Sequence, residues 1–446
     1  MNFYFYQMKK ITFFILYSFV FVLCISCISE TTDLNQLTFK GQLEVLFPEA
    51  NIDSLESKDH FVERYRLTLQ QPLDHENLEA GTFEHQIYIS HAGYEQPNLL
   101  ITTGYNARNS TYELSKAFKM NQILVEYRFY GKSRPDSIQW KYLTNDAALD
   151  DYHAITSKLK KIYKGKWMST GISKGGETVM MYKTKYPNDM DVGVPYVAPL
   201  INTQEDIRTQ NHINSIGNKA CREKIIVFQR EVLSRRATIL PKLKDFAASK
   251  NYTFNEVSLE ETLEYVVLEY PFSFWQWGGK CNEIPESSAT DEDIVKYLNS
   301  IVGYYIYSDA GYDVYLTSFY QHMKEIGYYG YDFTPVSDLL QVVKYTSNMR
   351  FAPKNVDLTY NPEYIKNVRK YIETNGHQLI YIYGGNDPWY ACAPSPNKNV
   401  AALKMVLKGG SHATRIKHFS QSDQDKIYQQ LQEWLGGATL YLDRNE

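Results

Sequence analysis

Residues 167–180 read WMSTGISKGGETVM: a short apolar strand, a glycine-bounded turn and the opening of a helix. Gly171-Ile172-Ser173-Lys174-Gly175 fits the G-x-S-x-G pattern, in which small residues let the chain reverse sharply and leave the central hydroxyl exposed above a sheet. Taken alone these residues leave two readings open, an activated nucleophile or a structural tight turn.

Working outward, NLLITTGYNA (98–107), QILVEYRFYG (122–131) and DVGVPYVAPL (191–200) read as further buried strands. Between them NDAALDDYHAITSKLKKIY (145–163) has helical spacing, with acidic residues at its start where the helix dipole favours them. Buried strands alternating with helices predict an α/β fold: a mostly parallel sheet covered on both faces. Upstream, HFVERYRLTLQQPLDHEN (60–77) and GTFEHQIYISHAGY (81–94) alternate apolar and polar residues across a turn, as two antiparallel strands would. From 201 to 345 helical segments take over, and sheet-like sequence returns with HQLIYIYGGNDPW (377–389) and KMVLKGGSH (404–412). The expected organisation is a core in two parts, 28–200 and 346–446, interrupted by a helical cap at 201–345.

The first 27 residues read as an export signal. Lys9 and Lys10 precede the apolar run Ile11–Ile25, which is short for a membrane span and well shaped for a signal peptide. ISC before a Ser/Thr/acidic stretch is similar to a relaxed lipoprotein cleavage site, with Cys27 as the lipidated residue and a periplasmic or outer-membrane lipoprotein as the product. Simple secretion is the alternative, and any membrane association is expected only through that anchor. The remaining cysteines are Cys221, Cys281 and Cys392. In an oxidising compartment Cys221 and Cys281 could pair, although their spacing does not demand it. No C-x-x-C pair or His cluster of metal-site type follows the leader, so neither a metal nor a cofactor is expected. With 47 basic against 51 acidic residues, net charge −4 and no Lys/Arg block, nucleic acid is not an expected partner. The 38 tyrosines would suit a peptide or sugar site, or core packing.

If Ser173 is a nucleophile it needs a base and an orienting acid, following it in the order Ser, Asp, His, each just after a strand. Of His212, His322, His377, His412 and His418, His412 fits: MVLKGGSH is a strand running into a Gly-Gly loop. His418 is the neighbouring alternative. Asp387 lies beyond Gly384-Gly385 at a strand end, where Asn-Asp-Pro also reads as an ordinary turn. The Lys174 N–H would point at a developing oxyanion, and a second backbone donor is expected near Tyr105.

QPLDHEN with GTFEHQIYISH, VEYRFYGKSRP followed by YLTNDAALDDY, GISKGG, EYPFSFWQWG, GGNDPW and GGSH together resemble serine peptidase family thirty-seven. This is the secreted tripeptidyl and prolyl tetrapeptidyl aminopeptidase group, related to lysosomal prolyl carboxypeptidase and dipeptidyl peptidase seven. The resemblance implies an α/β-hydrolase core and places the triad on Ser173, Asp387 and His412. It implies an exopeptidase acting on peptides with free N-termini, often after proline. An esterase or lipase on the same scaffold, or a non-catalytic peptide-binding lipoprotein, are the rival readings. For the pocket, Trp275 and Trp277 are candidate walls, with core packing as the alternative. A carboxylate is required for the substrate ammonium. Glu177 is a candidate, though a first-turn glutamate also complements the helix dipole. Asp309 and Asp313 are further candidates, and Tyr127, Arg128 and Tyr130 are expected to brace the pocket floor.

Overall fold

The computed structural model describes residues 33–345 and 347–442, so the leader and Cys27 lie outside the described residues. The chain divides into two units after Leu46. Within the first, the described residues form a 3₁₀ turn, Leu34–Gln36, capped by Asp33, and helix α1, Phe39–Leu46.

The second unit is built on nine strands: β1 (Asn51–Leu55), β2 (Glu63–Pro72), β3 (Thr82–His91), β4 (Asn98–Thr102), β5 (Asn121–Val125), β6 (Trp167–Ile172), β7 (Val192–Tyr196), β8 (Leu379–Gly384) and β9 (Ala402–Leu407). They form one sheet in the order β1-β2-β3-β5-β4-β6-β7-β8-β9. The first three are antiparallel, β3 runs antiparallel to β5, and every pair from β5 to β9 is parallel. The side chains explain the division. β2 alternates buried with exposed positions along much of its length, while β4, β5, β7 and β8 are buried throughout, as strands covered on both faces must be.

One face is covered by α2 (Glu113–Phe118) and, from the far end of the chain, by a helix at Gln421–Trp434. Leu114 and Phe118 pack there with Ile427 and Leu431 over Ile101, Val194 and Ile380. α3 (Asn145–Leu159) and α4 (Lys174–Lys185) pack against each other, and α4 lies on β6 and β7. This is the α/β-hydrolase arrangement, with a mostly parallel sheet whose crossovers are helices.

Between β7 and β8 the chain leaves the sheet. It forms α5 (Ile207–Ile213), α6 (Lys219–Ser234), α7 (Arg236–Ser249), α8 (Leu259–Gln276), α9 (Asp291–Ile301) and α10 (Asp309–Gln321), then returns through α11 (Pro362–Asn375). These helices bury their own core, including Val232, Leu243, Val266, Tyr270, Phe274 and Leu298, which are each at most 3 % exposed. Each such side chain contributes about 1.5–3 kcal/mol. Ser258 and Glu261 form a capping box that starts α8. The pairing left open by the sequence is closed here: Cys221, in the first turn of α6, is joined to Cys281 just beyond α8. The insert's core also takes in Phe351, Ala352, Trp389 and Cys392, so chain position alone does not mark its edge.

The strand read through Gly131 ends at Val125. Glu126 turns inward and its carboxylate accepts the Ala107 N–H at 2.9 Å and the Ser133 N–H and hydroxyl at 2.8 Å each, which folds Glu126–Ser133 into a turn with Phe129 at φ 65°. Arg128 is fully buried and donates to Asp151 at 2.7 and 2.8 Å and to the carbonyls of Pro72, Leu73 and Tyr142. Burial alone would raise the Asp151 carboxyl, yet Arg128 and His75 hold it well below the usual carboxylate range. The turn is bonded through side chains, which hydropathy alternation does not register.

Candidate active site

The turn after β6 is strained at its serine. Ser173 has φ 57° and ψ −126°, a conformation that costs a non-glycine residue on the order of 1–3 kcal/mol. The glycines around it are sterically required. A Cβ on Gly171 would sit 2.6 Å from the Thr102 carbonyl oxygen, and one on Gly175 would sit 2.8 Å from that of Thr103. The elbow therefore packs backbone to backbone on the end of β4 and leaves Ser173 at the head of α4.

Lys174 has a second role that its position after the serine did not signal. Its side chain is buried, and Nζ donates to the Gly104 carbonyl at 2.7 Å while lying 3.3 Å from the centre of the Tyr127 ring. This pins Gly104, in the Gly104-Tyr105-Asn106 loop that the sequence marks for the second oxyanion donor, to the nucleophile elbow. Burial pushes the Tyr105 phenol up, opposed by hydrogen bonding with Ser173 and the Lys174 backbone. Tyr105 and Ser173 line the same cavity.

Asp387 and His412 follow β8 and β9. His412 Nδ1 lies 2.6 Å from Asp387 Oδ2, and Asp387 Oδ1 accepts the Trp389 N–H at 3.2 Å. Both side chains are at most 5 % exposed. The His412 N–H donates to the Gln276 carbonyl at 2.9 Å, so the end of α8 fixes the histidine loop. The Trp277 ring stands edge-on to the imidazole at 5.7 Å. His418 is engaged elsewhere, its Nδ1 accepting the Arg415 N–H at 3.0 Å, and His377 Nδ1 accepts from Ala401 at the start of β9.

Ser173 opens into a cavity of about 60 Å³ whose lining includes Tyr105, Lys174, Glu177, Gln276, Tyr328 and Trp389. Gln276 is the link to the His412 loop. Past α10 the chain makes a π-type turn, His322–Ile326, that brings His322 and Gly327 to the same cavity and sends Glu325 to the Asn145 N–H at 2.7 Å. Such turns often mark functional sites. Glu177 is 1 % exposed and its Oε2 has no hydrogen-bond partner. Burial pushes its carboxyl up to about 8, with Lys174 opposing, and burial also lowers Lys174 well below its ordinary value. Glu177 does stand in the first turn of α4, as the dipole reading has it, and it is buried there as an acid in the lining of the Ser173 cavity.

Other sequence candidates lie elsewhere. Trp275 is buried against Phe274 and lines a separate cavity of about 50 Å³ within the insert. Trp277, 58 % exposed, stays beside His412. Asp309 accepts the Asn255 and Glu256 N–H groups, and Asp313 pairs with Arg134 at 2.7 Å. Tyr127 donates to Asn145 at 3.1 Å beneath the pocket. Gln276 and Tyr328 were missed and His322 was weighed only as the base, since nothing short-range links them to a serine more than a hundred residues away.

Two buried carboxyls near the site make a pH prediction. Glu269 accepts from Tyr329 at 2.6 Å and Ser273 at 2.7 Å, and Tyr329 stacks on Phe272 beside Trp389. Burial pushes Glu269 up to about 7, against those hydrogen bonds, and pushes Glu325 up to about 7 as well. A raised carboxyl keeps in the folded chain a proton that the unfolded chain releases near 4.5. Its stabilisation is full below that pH and is lost as pH rises through 7. His322, lowered to about 3 by burial, acts in the opposite sense below its unfolded value of 6.5, so the test is a difference. From pH 5 to 7.5, Glu269→Gln is expected to gain on the wild type by on the order of 3 kcal/mol in urea unfolding. A difference constant across that window would show that Glu269 does not hold the proton.

A family model described as PS-10 peptidase S37 matches residues 47–445. The chain is 30% identical over 389 residues to the prolyl tri/tetrapeptidyl aminopeptidase of Streptomyces mobaraensis, covering 85% of this chain and 82% of that one. It is 25% identical over 235 residues to prolyl carboxy peptidase like protein 5 of Caenorhabditis elegans, covering 44% and 46% of the two chains. Among solved structures, proline iminopeptidase of Mycobacterium smegmatis matches with TM-score 0.41 at 12% identity, over 83% of this chain and 100% of that one. An alpha/beta fold family hydrolase from Bacillus anthracis str. Sterne matches with TM-score 0.32 at 12% identity, over 87% and 99%. With the family matched across nearly all of the second unit, this chain belongs to the PS-10 peptidase S37 family.

Proposed function

We propose that this serine peptidase releases tripeptides or tetrapeptides from free N-termini, proline being accepted before the cut. The observation that carries the reading is the His412–Asp387 hydrogen bond at 2.6 Å, on loops tied through Gln276 to the cavity of Ser173. The activity named for the Streptomyces relative at 30% identity supports the substrate class.

In this mechanism His412 takes the Ser173 proton as the hydroxyl attacks the peptide carbonyl, and Asp387 holds the imidazole tautomer and stabilises its cation. The oxyanion is held at the elbow by the Lys174 N–H and by Tyr105. His412 then protonates the leaving amine, and water clears the acyl-enzyme. Tyr105, Pro199, Ile201, Tyr328 and Trp389 give the pocket apolar and aromatic walls that suit a proline ring. Glu177, whose carboxyl burial pushes up to about 8, is compatible with such a ring, and we assign it to the pocket floor. Trp277 is assigned to the rim beside His412. Export, with Cys27 as lipid anchor, is proposed from residues 9–27 and agrees with the Cys221–Cys281 disulfide, a bond of oxidising compartments.

Hydrolysis of Ala-Ala-Pro-aminomethylcoumarin, free and N-acetylated, tests the reading. The free amine is expected to be cleaved and the acetylated peptide to be cut at least about tenfold more slowly, because a lost charge-assisted contact costs about 1.5–3 kcal/mol. Equal rates would overturn the requirement for a free N-terminus.

A further inference from the structure

A second cavity adjoins the nucleophile turn, apart from the one that holds Ser173. It has about 600 Å³ and is bounded by Ile172, the residue before the serine, and by Arg415 and Lys417, which follow His412. Its opposite wall is the loop and first turn of α2, with Arg108, Glu113 and Lys116. It shares no lining residue with the Ser173 cavity.

The charge in this cavity is unbalanced. Four cations face one carboxylate, and Glu113 is already engaged, accepting the Ile416 N–H at 3.3 Å. Lys116 has a distant partner in Asp59 at 3.9 Å. Arg108, Arg415 and Lys417 have no carboxylate within ion-pairing distance among the described residues, in a chain whose net charge is −4. Arg415 is anchored through Nη1, which donates to the His412 carbonyl at 3.2 Å and that of Thr414 at 2.7 Å. Its guanidinium is largely desolvated, and burial lowers its pKa. Glu113 acts on Arg415 from across the cavity, but one carboxylate among four cations leaves a surplus of positive charge that an anion would balance.

The chemistry at Ser173 fixes which anion can reach this place. In peptide attack the acyl part and the leaving part depart from the scissile carbon in opposite directions, and His412 must reach the leaving nitrogen. With the acyl side in the Ser173 cavity, the leaving peptide passes the His412 loop, whose continuation is Arg415 to Lys417. We propose that this cavity is the binding site for the leaving peptide and that it recognises carboxylates there, borne by acidic side chains or by the C-terminus. The inference rests on the exopeptidase reading above and adds the substrate class: peptides that are acidic beyond the cut.

Two measurements on the full chain separate this inference from the reading it rests on. The first compares kcat/KM for Ala-Ala-Pro-Glu-Asp-Ala and Ala-Ala-Pro-Gln-Asn-Ala, each as free acid and as C-terminal amide. Two exposed ion pairs correspond to about a fivefold preference for the acidic sequence, screened out at 0.5 M salt. In Arg108→Gln/Lys417→Gln the ratio is expected to fall toward one. Both positions are exposed, and Arg415 is spared because it holds the histidine loop. A fall in kcat/KM of both peptides on amidation, abolished in the double variant, would assign the site to the C-terminal carboxylate, and a preference for the acidic sequence that persists on amidation assigns it to the side chains. The second measurement is calorimetric binding of the tripeptide Glu-Asp-Ala to Ser173→Ala, with and without the double substitution. A ratio of one in the wild type together with no fall in either rate on amidation, or effects unchanged in the double variant, overturns the proposal while leaving the exopeptidase intact. Binding of Glu-Asp-Ala that the double variant abolishes, with neither hexapeptide cleaved by the wild type, sustains the site and removes the exopeptidase.

Discussion

Ser173→Ala is expected to lower kcat on peptide substrates by roughly 10⁴–10⁶-fold with little change in KM, the range seen when a triad nucleophile is removed. The residual rate would come from the oxyanion donors and from binding alone. The fold should not register the change. Alanine carries the same Cβ as serine, so the strain at φ 57° is unaltered and the melting temperature should stay within about a degree. Ser173→Gly supplies an internal control, because glycine adopts positive φ freely and should stabilise the chain by about 1 kcal/mol while abolishing the same activity. A gain in stability with a loss of function would identify strain stored at the reacting residue. Activity above about 1 % of wild type in both variants would place the nucleophile elsewhere, since no alternative hydroxyl would preserve this geometry.

The parts of this site legible in the sequence are those written in short, local patterns. The elbow announces itself because only glycine fits where Gly171 and Gly175 meet the end of β4. Asp387 and His412 could be placed because each follows a fully apolar or alternating strand by a few residues, so strand and loop fix where the side chain emerges. The alternation of β2 and β3 and the continuous burial of β4, β5, β7 and β8 are likewise periodic signals. What could not be read depends on contacts across many residues. Lys174 reaches Gly104, 70 residues earlier, and the π-type turn at His322 closes a pocket whose serine lies 149 residues upstream. The Glu126 turn failed the strand reading for the same reason: its stabilising bonds go from a side chain to backbone groups at Ala107 and Ser133. Glu177 could be named from its position but not understood, because a helix-start glutamate on the surface and one buried against Lys174 look identical in sequence.

Asp387→Asn is expected to reduce kcat by roughly 10³–10⁴-fold, although it exchanges one atom for another of the same size. The argument lies in the donors around it. Oδ1 accepts the Trp389 N–H and Oδ2 faces His412 Nδ1, and both oxygens are fully enclosed. An asparagine has one oxygen and one NH₂ for these two donors. If the oxygen serves the fixed Trp389 backbone, the NH₂ confronts the imidazole, whose Nδ1 must then become an acceptor. The ring proton moves to Nε2, the nitrogen that has to accept the Ser173 proton, and the base is lost without any displacement of atoms. The reverse amide orientation keeps the productive tautomer but sets NH₂ against the Trp389 N–H, leaving two buried donors unsatisfied at about 1–3 kcal/mol each. The first arrangement should therefore dominate. The measurement is kcat on the free tripeptide amide together with the imidazole nitrogen shifts of His412, which distinguish the tautomers. Near wild-type turnover in Asp387→Asn, with the proton still on Nδ1, would mean that the bond from the His412 N–H to Gln276 and the edge of Trp277 suffice to orient the base.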